Sequence, residues 1–166
     1  MFKRIRSKLD DMGTIKRLCE RAEIHALHDQ QREPGGEHFL LAALDLPDGT
    51  ARLAFEQAGA EPGALKAAIE RQYGDALLSI GLTADAPPDI PVSAHSGAYQ
   101  AAASGQVVMQ ELAEARRDHA PLLGAHVVSI VAGLPQGVVP RALRALGVDP
   151  ASLKSSADAI VGKSSP

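Results

Sequence analysis

The chain of 166 residues has no tryptophan and one cysteine, and aromatic residues make up only 3% of it. A single thiol, Cys19, excludes a disulfide framework. The scarcity of aromatic and β-branched side chains argues against a sandwich or barrel, whose strands draw on those residue types. No apolar run is long enough to span a bilayer: the one over residues 127–132 is short and interrupted by Ser129. The net charge is only −3, without the positive excess of a nucleic-acid binder. Residues 1–8 carry Lys3, Arg4, Arg6 and Lys8, and no apolar stretch follows them, so they do not read as a signal peptide. The run reads instead as a solvated helix start. A cytoplasmic protein that contacts neither membrane nor nucleic acid is expected.

What the chain does have is alanine. Hydrophobic residues reach 45%, and 29 residues are alanine. Small, strongly helix-forming side chains are the composition of closely packed helices, so the expected fold class is all-α.

The sequence also repeats itself. Residues 37–66 align without a gap on residues 125–154, at a constant offset of 88. Nine of the 30 pairs are identical: His38/His126, Leu46/Leu134, Pro47/Pro135, Gly49/Gly137, Ala54/Ala142, Gly59/Gly147, Pro62/Pro150, Leu65/Leu153 and Lys66/Lys154. Chance similarity between alanine-rich helices scatters its matches, whereas here the chain-breaking prolines and glycines share one register. The expected organisation is a single domain over 1–166. Repeat one covers about 9–80, a proline-bearing linker about 81–91, repeat two about 92–161, and a frayed tail 162–166.

Within each copy the breakers separate four helices. Ile15, Leu18, Ala22 and Ala26 form the apolar stripe of a first helix over 9–31, with Cys19 beside it as a small core residue. A short, nearly all-apolar helix over 38–44 follows. Next comes a turn at 46–49, with Asp48 as N-cap of a helix over 50–58. Gly59 and Gly147 fall where a left-handed residue closes a helix, and Pro62 and Pro150 stand in the first turn of the last one. The second copy predicts helices over 125–132, 136–146 and 150–161, after a long helix that ends near 118.

This order, with Gly36-Glu37-His38-Phe39-Leu40-Leu41-Ala42-Ala43-Leu44 in copy one and Gly124-Ala125-His126 in copy two, resembles the Clp N-terminal (Clp repeat) domain family. The resemblance covers residues 12–161. It implies a double Clp-N motif, two pseudo-symmetric four-helix repeats packed as one orthogonal bundle. It implies no catalysis and no cofactor, and a protein or peptide as partner: a Clp ATPase, an adaptor or a substrate segment. Such a chain would serve as accessory, adaptor or decoy of a Clp chaperone–protease system. No Walker A segment follows the module, so no unfoldase motor is expected, and a monomer is the expected state.

Two departures from the family stand out. The threonine that precedes Glu-His in the family is Gly36 or Gly124 here, a weaker N-cap that predicts looser helix starts. The glutamate, which in ClpC-like members contributes to phosphoarginine recognition, is kept as Glu37 and replaced by Ala125. Glu37 is therefore the candidate partner-binding residue. His38 and His126, Gly59 and Gly147, and Pro62 and Pro150 are structural repeat positions.

Other chemistry reads weakly. Gly162-Lys163-Ser164 resembles the end of a P-loop, but the required earlier glycine is Ala157. His25 and His28 lie one turn apart, and with His38 they offer the alternative of a small metal-binding helical enzyme. Four convergent ligands are not evident, so no metal is expected. A helical scaffold unrelated to Clp is the third reading. His38 and His126 are expected as core histidines that donate to a backbone carbonyl.

Overall fold

The computed structural model of the protein describes residues 2–82, 101–116 and 121–164. Residue 1, most of the expected linker, the opening of repeat two up to residue 100, residues 117–120 with the expected helix end near 118, and the last two residues lie outside them. The described residues are all-helical: α1 (Phe2–His28), α2 (Gly36–Leu44), α3 (Thr50–Gln57), a 3₁₀ turn (Pro62–Ala64) leading into α4 (Leu65–Ser79), α5 (Ala103–Ala115), α6 (Gly124–Ala132), α7 (Val138–Ala145) and α8 (Pro150–Ser164). None of these helices is long and apolar enough to cross a membrane.

The boundaries follow the repeated sequence. Both ends of α2 and α6, and both ends of α3 and α7, are 88 residues apart. Gly59 and Gly147 adopt φ of 72° and 73°. Each closes its helix through a pair of hydrogen bonds. Gly59 N–H donates to Glu56 O and Ala60 N–H to Phe55 O, and Gly147 and Val148 repeat the pattern on Arg144 and Leu143. A left-handed residue at this place lets two orphan carbonyls be satisfied at once, which glycine adopts without steric cost. Pro62 and Pro150 open their helical turns as expected, capped by the carboxylates of Glu61 and Asp149 on the backbone N–H of Gly63 and Ser152.

Some boundaries differ from the sequence reading. α1 starts at Phe2, so the basic run ahead of Leu9 forms the expected helix start, and the helix ends at His28 rather than residue 31, where the chain turns at left-handed Gln30. α8 runs through Ser164, beyond the expected stop at residue 161, so Gly162 and Lys163 are helical rather than frayed. α3 starts at Thr50 with left-handed Gly49 as its N-cap; Asp48 stands one residue earlier and still accepts the Thr50 N–H at 2.8 Å.

One core draws on both copies. All nine residues of α2 are buried, and Phe39, Phe55, Leu65, Ile69, Leu112, Leu143 and Leu153 are sealed from solvent. α2 packs on α1, α5 and α6, while α4 meets α7 and α3 meets α8. Alanines at 42, 43, 51, 54, 125 and 142 are buried where these helices approach. Each contributes little area at roughly 25 cal/mol per Å², so close backbone approach has to compensate.

Gly36 and Gly124 are part of that approach. They are the first helical residues of α2 and α6, not the N-caps, which are Gly35 and Leu123. A Cβ on Gly36 would stand 2.9 Å from Leu134 Cδ1, and one on Gly124 would stand 3.1 Å from Ala43 O. Their helix starts are not left loose, because the other copy caps them. Ser104 Oγ accepts the Gly36 N–H at 2.9 Å. Asp48 Oδ2 accepts the Gly124 N–H at 3.1 Å, and Thr50 Oγ1 accepts the Ala125 N–H at 2.9 Å. The orphan amides of each buried helix are thus satisfied across the repeat.

Candidate functional site

His38 occupies the third position of α2, and its imidazole turns back on the helix start. Its Nδ1 accepts the Gly35 N–H at 2.9 Å. His126 repeats this on Leu123 N–H at 3.0 Å. Both histidines therefore accept from a backbone amide, where donation to a carbonyl was expected, because the free groups at a helix start are N–H donors. They differ in depth. His38 is sealed, whereas His126 is half-buried and lines a cavity; burial holds its imidazole below the ordinary histidine value, against the opposing pull of Leu123, Asp11 and Asp48.

With Nδ1 accepting, a neutral His38 carries its proton on Nε2. That nitrogen lies 3.3 Å from Asp29 Oδ2, without the alignment of a hydrogen bond. Asp29 reaches it because the chain reverses just after α1. Gln30 takes a left-handed φ of 57°, and the Gln31 N–H closes on Ala26 O at 2.8 Å. Burial would raise the Asp29 carboxyl, but interaction with His38 and then His28 outweighs it and holds Asp29 below the usual aspartate range.

Glu37 faces inward as well. It is buried, and its Oε1 takes a short hydrogen bond from the Tyr73 hydroxyl of α4. The Tyr73 ring lies nearly parallel to the His38 ring, at an interplanar angle of 13°. Burial, followed by the Glu37 hydrogen bond and the charges of Glu37 and Asp29, pushes the Tyr73 hydroxyl well above its ordinary value. Asp29, Glu37, His38 and Tyr73 form one polar network, buried at Glu37 and His38 and half-buried at Asp29 and Tyr73. Glu37 and His38 were legible in the sequence. Tyr73 and Asp29 were not, since nothing local ties positions 36 or 9 residues away to α2.

The corresponding place in the second copy is open. At the same offset, Ala125 stands for Glu37 and Val161 for Tyr73. A cavity of about 300 Å³ lies there, lined by Glu111, Glu114, His126, Ser129, Asp158 and Val161 among others. Ser129 donates to Asp158 in a short hydrogen bond, and Lys154 Nζ donates to Ser129 Oγ at 2.8 Å. A second cavity, of about 410 Å³, lies between α1 and the turn that follows α2. Arg17, Glu20, Arg21 and Ile24 face Asp45, Leu46 and Pro47 across it. The first helix of each copy lines one of the two hollows.

The three histidines His25, His28 and His38 do not share one site: His28 and His38 flank the two oxygens of Asp29, at 3.5 and 3.3 Å, and His25 stands apart. His25 pairs with Asp45 at 2.8 Å, on the side of the second hollow. His28 lies with Asp29 and Glu70, the group among the described residues whose ligand atoms come within 4.8 Å of one another. Cys19 is half-buried against the core, its sulfur 3.9 Å from Met109 Sδ. No protein-family model matches the chain, and comparison with curated proteins finds no match.

Proposed function

We propose that the chain is a non-catalytic protein- or peptide-binding module of the Clp N-terminal type, packed as two pseudo-symmetric helical repeats, that acts as accessory, adaptor or decoy in a Clp chaperone–protease system. The observation that carries this reading is the shared register of α2/α6 and α3/α7, with α2 on the Glu-His-aliphatic run and α6 on the Ala-His-aliphatic run. The hollow between α1 and the turn at Asp45, Leu46 and Pro47 suits a docked segment. It combines apolar Ile24, Leu46 and Pro47 with charges of both signs, Arg17 and Arg21 beside Glu20 and the His25-paired Asp45, a mixture that can hold an extended peptide by apolar anchors and charge.

The inward-facing Glu37 shapes the proposal. Its carboxylate is held by Tyr73, so the partner surface is assigned to the exposed residues of α1 rather than to Glu37. The test is direct binding of the purified chain to a purified Clp ATPase, to its adaptors and to an array of unfolded-protein peptides. The expected result is saturable binding of at least one of them, weakened at least tenfold when Arg17 and Arg21 are both changed to Glu. Failure of all three classes to bind, or binding indifferent to that double change, overturns the reading.

A further inference from the structure

The end of α1 gathers more negative charge than its neighbours neutralise. The side chains of Asp29 and Glu37 are only 6% and 11% exposed, and among the described residues no lysine or arginine comes within ion-pairing distance of either. Among the described residues, histidines are the potentially cationic groups that pair with them, and the Gly35 cap keeps a neutral His38 as an Nε2–H donor. Buried carboxylates are ordinarily paired or bound to a cation. His38 is itself sealed, and its Nε2 makes no hydrogen bond while it points at Asp29 Oδ2.

The opposite oxygen of Asp29 faces outward, into a set of donors. His28 Nδ1 lies 3.5 Å from Asp29 Oδ1 and 4.0 Å from Glu70 Oε1. Donor atoms around a tetrahedral ion with bonds of about 2.0–2.1 Å sit roughly 3.3 Å apart, so small side-chain shifts close this set. His28 and Glu70 are solvent-exposed, which leaves a path for an ion and room for water as a fourth ligand. An imidazole with two carboxylates is the donor chemistry of a divalent transition metal rather than of magnesium, which prefers an all-oxygen octahedron.

We propose that His28, Asp29 and Glu70 bind a divalent transition-metal ion of the zinc class, with the buried His38 Nε2–H orienting Asp29 from behind. A ligand carboxylate whose second oxygen meets a buried donor is the usual outer support of such sites, and the ion supplies the positive charge that the network lacks. It ties the end of α1 to α4. The site is independent of any peptide partner.

The experiment is a calorimetric titration of the tag-free, chelator-treated chain with Zn²⁺, and with Mg²⁺ in parallel. His28→Asn and Glu70→Gln are the variants, because both residues are exposed and circular dichroism can confirm that the helices are retained. The expected result is one Zn²⁺ per chain with no comparable Mg²⁺ binding, and a loss of at least tenfold in each variant, the scale on which a ligand or its support acts. In the native chain alone, Zn²⁺ should also raise the melting temperature and shift the His28 ring resonances. No binding at zinc concentrations of about 100 μM, equal binding of Mg²⁺, or affinity unchanged in both variants would overturn the site; that concentration corresponds to roughly −5.5 kcal/mol of binding, below which a built site has no meaning.

Discussion

Asp48 Oδ2 accepts the backbone N–H of Gly124 at 3.1 Å, so that a turn in the first copy caps the buried helix of the second. The same carboxylate holds the Thr50 N–H at 2.8 Å, and one side chain therefore secures two helix starts in different halves of the chain.

Asp48→Ala should lower stability by about 1–2 kcal/mol, the upper part of the range for losing a cap, because two helices lose an acceptor together. Asp48→Asn, which keeps an acceptor oxygen, should cost less. Urea unfolding checks both through the midpoint, with the slope unchanged. A midpoint in Asp48→Ala equal to that of the parent would mean that the bonds contribute nothing net.

Two glycine substitutions should move stability in opposite directions. A Cβ on Gly105 would stand 2.3 Å from Pro34 O and 3.0 Å from the Phe39 ring. Gly105→Ala should therefore destabilise by about 1–3 kcal/mol through forced backbone movement. Gly13 lies exposed inside α1 with nothing within 4 Å of the added atom. Gly13→Ala should stabilise by roughly 0.5–1 kcal/mol, the difference in helix propensity. Thermal melts of the pair read the sign directly.

Tyr73→Phe leaves the buried Glu37 carboxylate without its donor and should cost about 1–3 kcal/mol at neutral pH. The hydroxyl is pushed above its ordinary value, so its contribution is complete below about pH 10 and is lost as the pH rises toward the folded value. The stability gap between parent and variant should thus be constant at neutral pH and narrow in strong alkali. A gap that widens above pH 10 would contradict the network.

Asp29 is shifted the other way. A carboxyl held below its usual range contributes stability above the unfolded value of about 3.9, and that contribution disappears as the pH falls through the lower folded value. Asp29→Asn should be less stable than the parent at pH 7 and converge with it in strong acid. Denaturant midpoints across pH 2–7 follow the convergence.

The sequence revealed most of the helix boundaries, though not the Gly49 cap of α3 or the helical end of α8. The apolar run at 38–44 announced a buried helix, and Gly59, Gly147, Pro62 and Pro150 marked the ends and starts at which they are found. What stayed hidden depends on distant pairing. Glu37 meets Tyr73 across 36 residues, Gly36 meets Ser104 across 68, and Leu122 N–H donates to Asp11 across 111. Neither helical periodicity nor capping preference carries information about such partners. One signal was available: glycine at both 36 and 124, in the same repeat register, marks a site that excludes a side chain, and helix approach explains it better than a weak cap does. Likewise Gln30 has no local signature of a left-handed turn, so the inward aim of Asp29 could not be read in advance.

The exchange of caps between halves also bears on how the chain reaches its fold. Helical proteins usually fold fast because their contacts are near in sequence, but here α2 and α6 complete their first turns only when residues 68 and 76 positions apart have met. The entropy of closing those long loops must be met before either central helix is secured. Folding should therefore be slower than for an ordinary bundle of this length, its rate-limiting step should require the α2–α6 crossing, and neither half expressed alone should yield a stable intermediate.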